Sequence, residues 1–408
     1  MFELAIIGAW AEFALRWLHV ITAIAWIGSS FYFIALDLGL QKAPDLPPGA
    51  HGEEWQVHGG GFYHIRKFLV APAAMPEHLT WFKWESYATW LSGFALMAMV
   101  YYLGAEFYLI DPAVMDLAVW QAVAISVASL ALGWIAYNTL CKVFVNANQT
   151  ALMVALFGVI VGMAWFYTQV FTGRAALLHL GAFTATIMSA NVFFIIMPNQ
   201  RIVVTDLKAG RVPDAKYGKI AKQRSTHNNY LTLPVIFLML SNHYPLAFAT
   251  QWNWVIASLV FLMGVTIRHW FNTRHARAGN PHWTWAATAL IFIAIMWLSV
   301  APMRGEADDL SALPASAQRL AAAPQFEEVH SIVLGRCSMC HAEQPVWPGL
   351  HWAPKGVVLE TEAHIARAGR EIYLQSAMSH AMPPGNIVWM QDEERALIRA
   401  WYRGASGL

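Results

Sequence analysis

Near its C-terminus the chain reads Cys337-Ser338-Met339-Cys340-His341. Two thiols at this spacing followed at once by an imidazole are the attachment pattern of c-type haem. The sulfurs add to the porphyrin vinyl groups, and the histidine is placed to meet the iron from one side. The sixth position of such an iron is commonly filled by methionine. Ser379-His380-Ala381-Met382-Pro383-Pro384 supplies Met382 in a proline-rich stretch, with Met378 and His380 as nearby rivals. Cys141 is the third and last cysteine, so there is no disulfide framework and no second Cys pair for zinc. No βαβ pattern suggests a thioredoxin-like redox motif.

A second group of residues lies inside apolar stretches. His19 is about 10 Å into the first such stretch at 1.5 Å per residue, and His179 enters the fifth at a similar depth. Ionisable side chains in lipid are costly and default to functional candidates. Neutral imidazoles at matched depth suit axial ligation of a haem b. The alternative is two histidines bonded to carbonyls or hydroxyls of neighbouring helices. His243 is a further candidate ligand.

Polar residues converge at the opposite ends of the apolar stretches. "KQRSTHNNYLTLPV" contributes Arg224, Thr226, His227, Asn228, Asn229 and Tyr230, and "IRHWFNTRH" contributes Arg268 and His269. "TWFKWESYATW" brings Lys83, Glu85 and Tyr87, and "HGGGFYHIRK" brings His58, His64 and Arg66. Arg offers a planar fork, Asn reads donor and acceptor edges, and His or Glu moves protons. Together they suit a small, flat, polar, anionic substrate, with Glu85, His227, Asn228, Asn229, Arg268 and His269 as the catalytic candidates. Glu85 is expected to have a cationic partner. The plainer reading is that positive residues at helix ends are topology anchors. Two amides and a His entering a membrane helix are nonetheless expensive unless paired.

Only a membrane protein accounts for this setting. Of 408 residues 57% are hydrophobic and 12% charged, and Trp, a residue of membrane interfaces, occurs 20 times. A net charge of +1 with no basic stripe excludes a nucleic-acid partner. Eight windows near 12–36, 86–105, 117–141, 150–172, 175–198, 230–249, 252–270 and 283–302 are long and apolar enough to span a bilayer. The N-terminus lacks a positive leader and a cleavage motif, so it reads as the start of a retained helix. Lys and Arg crowd the loops after the first, fifth and seventh windows and are missing from those after the second and sixth. The positive-inside rule then puts the N-terminus and the C-terminal region outside. "LHVITAIAWIGSSFYFIALD" and "LHLGAFTATIMSANVFFIIMP" share the Leu-His pair, a Ser ten residues on and an aromatic ending, the mark of a 4+4 repeat about an axis along the membrane normal. The expected fold class is all-α: residues 1–302 an eight-helix integral membrane domain, 303–325 an Ala/Ser/Pro-rich linker, and 326–408 a small α-helical cytochrome c domain.

With "RWLHVITAIAWIGSSFYF", "KWESYATWLSG", "THNNYLTLPV" and "CSMCH…MPP" in place, nearly the whole chain resembles the bacterial membrane-bound urate oxidases, an eight-helix membrane domain fused to a cytochrome c. The resemblance implies oxidation of urate to 5-hydroxyisourate in the bacterial inner membrane, with the C-terminal domain in the periplasm. From the residues come the expected cofactors: a covalent haem c at Cys337, Cys340, His341 and Met382, and a haem b near His19 and His179. Electrons would leave to a soluble cytochrome c or a terminal oxidase. A haem with both axial positions filled offers dioxygen no site, so a dehydrogenase making no stoichiometric hydrogen peroxide is expected. Two rival classes stay open: a quinol- or sulfur-compound-oxidising cytochrome, and an electron-transfer anchor subunit for a separate catalytic protein. A homo-oligomer also stays open.

Overall fold

A computed structural model of the chain describes residues 4–69, 72, 76–112, 114–144, 148–299, 309–350 and 353–407. Helix α1 (Leu4–Gly39) leads into a hairpin of β1 (Ala50–His58) and β2 (Gly61–Phe68). Helix α2 (Trp84–Met97) continues through a π turn, Ala98–Tyr102, to the short α3 (Ala105–Tyr108). Then come α4 (Val119–Val143), α5 (Gln149–Val170), and α6 (Gly173–Ala190), which passes through a second π turn, Asn191–Ile196, into α7 (Met197–Lys208). The bundle closes with α8 (Ala215–Ser241), α9 (Pro245–Phe248), α10 (Asn253–His275) and α11 (Trp283–Ser299).

The chain is mostly helical, and every apolar window of the sequence falls on helix. Among the described residues five stretches are long and apolar enough to cross a membrane: Ile6–Gly39, Val119–Val143, Gln149–Val170, Gly173–Lys208 and Asn253–His275. The other three windows miss for separate reasons. The α-helical part of α2 has 14 residues before its π turn, and α11 has 17. Helix α8 has ample length but carries Arg224, His227, Asn228 and Asn229, all buried.

The all-α expectation needs one correction, the hairpin. Gly59 and Gly60 adopt φ of 60° and 80°, the left-handed geometry that a two-residue hairpin turn demands. His64 stacks on Trp55 at 4.0 Å and bonds to Glu53 at 2.7 Å, with Arg66 on the same carboxylate at 3.2 Å. Lys67 reaches Asp37 of α1 at 2.5 Å, which ties the hairpin to the end of that helix. The polar residues of this loop thus serve the hairpin itself.

Helix α2 runs antiparallel to α1: His19 meets Thr89 and Ser92, while Phe33 meets Phe82. The hairpin therefore marks one end of the bundle, and α3, past the far end of α2, marks the other. Helix α6 sits at the centre, with Leu177, Leu180 and Phe183 almost fully buried against Tyr167 and Phe171. A Cβ on Gly133 would lie 1.9 Å from the Phe183 ring, so only glycine lets α4 approach α6 this closely. Much of the pairing of helices obeys an exchange of α1 with α6, α2 with α8 and α4 with α10. Thus α1 packs on α2, α8 and α10, and α6 packs on α8, α2 and α4. Helix α5 breaks the exchange by packing on both α6 and α10.

A separate helical unit follows. Helices α12 (Ala315–Ala321), α13 (Phe326–Arg336), α14 (Glu362–Arg367), α15 (Gly369–Ile372) and α16 (Asp392–Ser406) enclose Val329, Val333, Ile365, Tyr373, Ile398 and Trp401. Residues expected to be linker contribute to this core: Leu313, Ala317 and Leu320 are buried in it, and the Trp401 indole donates to the Leu320 carbonyl at 2.9 Å. Arg336, beside Cys337, forks onto Glu394 of α16 at 2.9 and 3.1 Å.

Two outcomes follow from this packing. Gly133→Val should lower the thermal midpoint in detergent, because overpacking costs about 1–3 kcal/mol; an unchanged midpoint would show that α4 and α6 are not in close contact. In the hairpin, the hydrogen bond from His64 and then Arg66 hold the Glu53 carboxyl below its ordinary 4.5. A carboxyl depressed on folding stabilises above its unfolded pKa and loses that contribution as pH falls through the folded value. Amide-exchange protection of Glu53–Arg66 should therefore persist at neutral pH and drop once the pH goes below 4.5. Glu53→Gln should remove that pH dependence.

Candidate functional site

The site at the hairpin end is built around Arg268. Its guanidinium is 5% exposed, donates from Nε and Nη2 to Asn229 Oδ1 at 3.1 and 3.0 Å, and from Nη2 to Asn272 Oδ1 at 3.0 Å. Asn272 Nδ2 also donates to Asn229 Oδ1 at 3.2 Å, and the guanidinium lies 4.3 Å from the ring centroid of Phe31. Every hydrogen-bond partner is a neutral amide. Among the described residues no carboxylate lies within ion-pair distance of Arg268, and Asn229 Nδ2 is buried without a partner. A buried cation without a counter-charge is costly, and the cost is lifted by an anion arriving from outside.

Room for one adjoins it. A cleft of about 250 Å³ opens between the end of α1 and the facing sides of α8 and α10, lined among others by Asp37, Lys222, Thr226, Tyr230, His269 and Asn272. Asn272 belongs to both the cleft and the Arg268 network. Asp37 is already paired with Lys67, which leaves Lys222 and Arg268 to set a positive potential there.

The sequence candidates do not form one group. Asn229 and Arg268 meet directly, and His269 lines the adjoining cleft. His227 and Asn228 face the other side of α8, where His227 Nδ1 lies 2.8 Å from Tyr137 Oη. Asn191, in the second π turn, donates to Tyr137 Oη and to Asn228 Oδ1, both at 2.9 Å, and Asn228 donates to the Met188 carbonyl at 2.9 Å. Arg224 covers the Tyr137 ring at 4.9 Å and bonds to Asn138 at 2.9 Å. Consecutive helical positions point about 100° apart, so an uninterrupted His-Asn-Asn run cannot serve one cavity. Glu85 joins neither group: among the described residues it has no cationic partner, and its Oε2 is buried without a hydrogen bond. Its expected ion pair is absent because α2 packs here through Ser86 on Ser189 of α6, at 3.0 Å.

Asn272, Asn191 and Tyr137 were not among the sequence candidates. Asn272 stands four residues after Arg268, hence on the same helical face, and that spacing could have found it. Asn191 is an amide midway along an apolar run, a signal of the same kind as His179. Nothing in the sequence marks Tyr137.

Three histidines share one arrangement. His19 donates from Nδ1 to the Thr89 carbonyl at 3.0 Å, His179 to the Ala175 carbonyl at 2.8 Å, and His341 to the Val357 carbonyl at 2.8 Å. A carbonyl on Nδ1 fixes the tautomer and leaves Nε2 with a free lone pair, which is how an iron-binding imidazole is held. His179 is fully buried between Tyr101, Tyr167 and Phe171, and its Nε2 has no partner. Gly93 lets the His19 ring lie against α2, since a Cβ there would come within 2.6 Å of it. His19 meets α2 at Thr89, His179 meets Tyr101 of the π turn that follows it, and no contact joins the two histidines among the described residues.

In the C-terminal unit, Cys337 and Cys340 are free and follow the end of α13. Met382 is held through its backbone, with its N–H on the Gln375 carbonyl at 2.8 Å and its own carbonyl accepting from Arg395 at 3.0 Å. Burial, reinforced by Cys340, pushes the Cys337 thiol up to about 12. A thiol so hard to ionise is a poor metal ligand. Among the described residues no three His, Cys, Asp or Glu side chains form a chelating set. The donor set fits haem c on chemistry, through two thiols for the porphyrin rim and one oriented imidazole. For haem b it fits at His19 and His179 taken singly.

No curated protein and no solved structure matches the chain. The urate oxidase N-terminal family matches over residues 5–299, from the start of α1 to the end of α11. The bundle with its buried Arg–Asn cleft is therefore the matched part of the molecule, and the chain belongs to the urate oxidase N-terminal family.

Proposed function

We propose that the protein is a membrane urate dehydrogenase that binds urate in the cleft beside Arg268 and passes its electrons to a covalently attached haem c in the C-terminal unit. Family membership makes urate the leading substrate and oxidoreduction the leading chemistry. The single observation that carries the site is the buried Arg268 guanidinium, bonded only to amides and joined through Asn272 to a cleft of about 250 Å³.

Urate is an anion near neutral pH. In this reading Arg268 neutralises it, and the spare Asn229 Nδ2 donates to one of its carbonyl oxygens. His269 at the cleft wall takes a proton as the purine is oxidised. The balance is the urate monoanion plus water giving neutral 5-hydroxyisourate, one proton and two electrons; the water oxygen ends on C5. Burial of Asn229 and Arg268 keeps bulk water off the inner side of the cleft and strengthens the electrostatic contacts within it. When bound, haem c would be held by Cys337, Cys340, His341 and Met382 and would supply one-electron acceptance; a haem b held at His19 or His179 would supply the same chemistry inside the bundle. A soluble cytochrome c or a terminal oxidase then receives the electrons.

All eight apolar windows cross the bilayer in this reading. Support comes from Ser86, Thr89 and Ser92 of α2 and from His227, Asn228 and Asn229 of α8, which are buried against neighbouring helices. Lys42, Arg66, Lys67, Lys83 and Lys208 gather at the hairpin end, which the positive-inside rule makes cytoplasmic. The C-terminal unit is then periplasmic, the compartment where haem c is attached.

Arg268→Gln should weaken urate binding, measured by equilibrium dialysis, by at least about tenfold, since a hydrogen bond to a charged group contributes about 1.5–3 kcal/mol. His227→Gln, on the other face of α8, should leave it within about threefold. Wild-type affinity in Arg268→Gln would remove the site. A pyridine haemochrome spectrum should show c-type haem that disappears in Cys337→Ser/Cys340→Ser, and b-type haem that disappears in His179→Leu. A mature chain with no covalent mass increment would end the electron route proposed here.

A further inference from the structure

Among the described residues, three contacts tie the C-terminal unit to the bundle. At the first, Tyr108 of α3 is hydrogen-bonded to the Glu371 carboxylate, and Arg370 donates to the same hydroxyl at 3.1 Å. Burial and then the Glu371 charge push the Tyr108 phenol up, so its hydroxyl keeps its proton and donates to Glu371. The Arg174 guanidinium of α6 covers the ring at 5.3 Å, and Thr172 donates to the Tyr108 carbonyl at 2.7 Å. At the second, Arg319 of α12 reaches Glu106 at 3.4 Å. At the third, Gly356, with φ of 68°, lies so close to α9 that a Cβ there would come within 2.2 Å of Pro245. Arg319 and Glu106 are more than a third exposed, and surface pairs of this kind contribute little. The Tyr108 cluster is half-buried and charge-assisted, and the Gly356 contact is steric. The first two contacts fall on α3 and the third on α9, so the unit is held at two different stretches of the bundle.

We propose that the C-terminal unit is seated on the bundle as a fixed body, with Tyr108 as the latch and the Gly356–Pro245 contact as the second foot. The partner that this face of the bundle fits is the chain's own C-terminal unit. An external electron acceptor then comes to that unit; the unit does not swing out to meet it. The seat stands on contacts alone and holds whether or not haem is attached.

The test uses the full chain in membranes, with a specific protease site placed in residues 303–308. After cleavage and a wash in high salt, where the Debye length falls to about 3 Å, the wild-type C-terminal fragment should stay on the membrane. Tyr108→Ala should release at least tenfold more fragment, and Gly356→Val should release it too by pushing the second foot off α9. Tyr108→Phe, which keeps the ring under Arg174, should fall between wild type and Tyr108→Ala. Arg319→Gln should match wild type. Circular dichroism of the released fragment separates undocking from unfolding. Full release from the wild type, or equal release from Arg319→Gln and Tyr108→Ala, would overturn the proposal.

Discussion

Charge and hydrogen-bonding capacity taken out of water have to be answered nearby, and this requirement organises the bundle more than its apolar surface does. Helix α8 shows it most plainly. Arg224, His227, Asn228 and Asn229 are all buried on α8, and their partners lie on three neighbours: α4 for Arg224 and His227, the second π turn for Asn228, and α10 for Asn229. Removing one member of such a buried charged set costs about 3–5 kcal/mol, because the remaining charge is stranded. The arrangement therefore fixes which helices touch, while the apolar contacts between them are interchangeable by comparison.

Where the capacity is left unmet, the molecule is poised for chemistry. Arg268 has amides where a carboxylate would make it inert. His179 has an oriented ring and an unused nitrogen. The two lie toward opposite ends of the bundle, since Arg268 stacks on Phe31 near the hairpin and His179 begins the central helix at the far end. The long α6 and α8 run between these regions, which keeps the proposed substrate and iron sites apart.

Much of this was legible in the sequence because membrane helices advertise their exceptions. A lone His in an apolar run, or an Arg at its end, stands out, and His179 and Arg268 were singled out that way, whereas His341 was marked by its Cys-x-x-Cys-His spacing. The partition of the polar run was harder. Reading "THNNY" as one patch ignores the turn of about 100° per residue, which sends His227 and Asn229 to different neighbours. The hairpin was hidden because its strands carry mixed polar and aromatic residues without a buried face, and only Gly59 and Gly60 mark its turn. The extent of the C-terminal unit was misjudged for a related reason: Ala- and Ser-rich composition suggests a linker, yet small residues are what α12 needs to pack closely against Trp401.

The composition of α8 also bears on how the molecule is made. A segment with this many polar side chains has little tendency to leave the translocation channel for lipid alone. Helix α6 is apolar enough to insert first and precedes it, whereas α10, which holds the amide Asn272 opposite Asn229, is synthesised only afterward. A bilayer-spanning α8, as proposed, would enter lipid at least cost once paired with α10 beside α6.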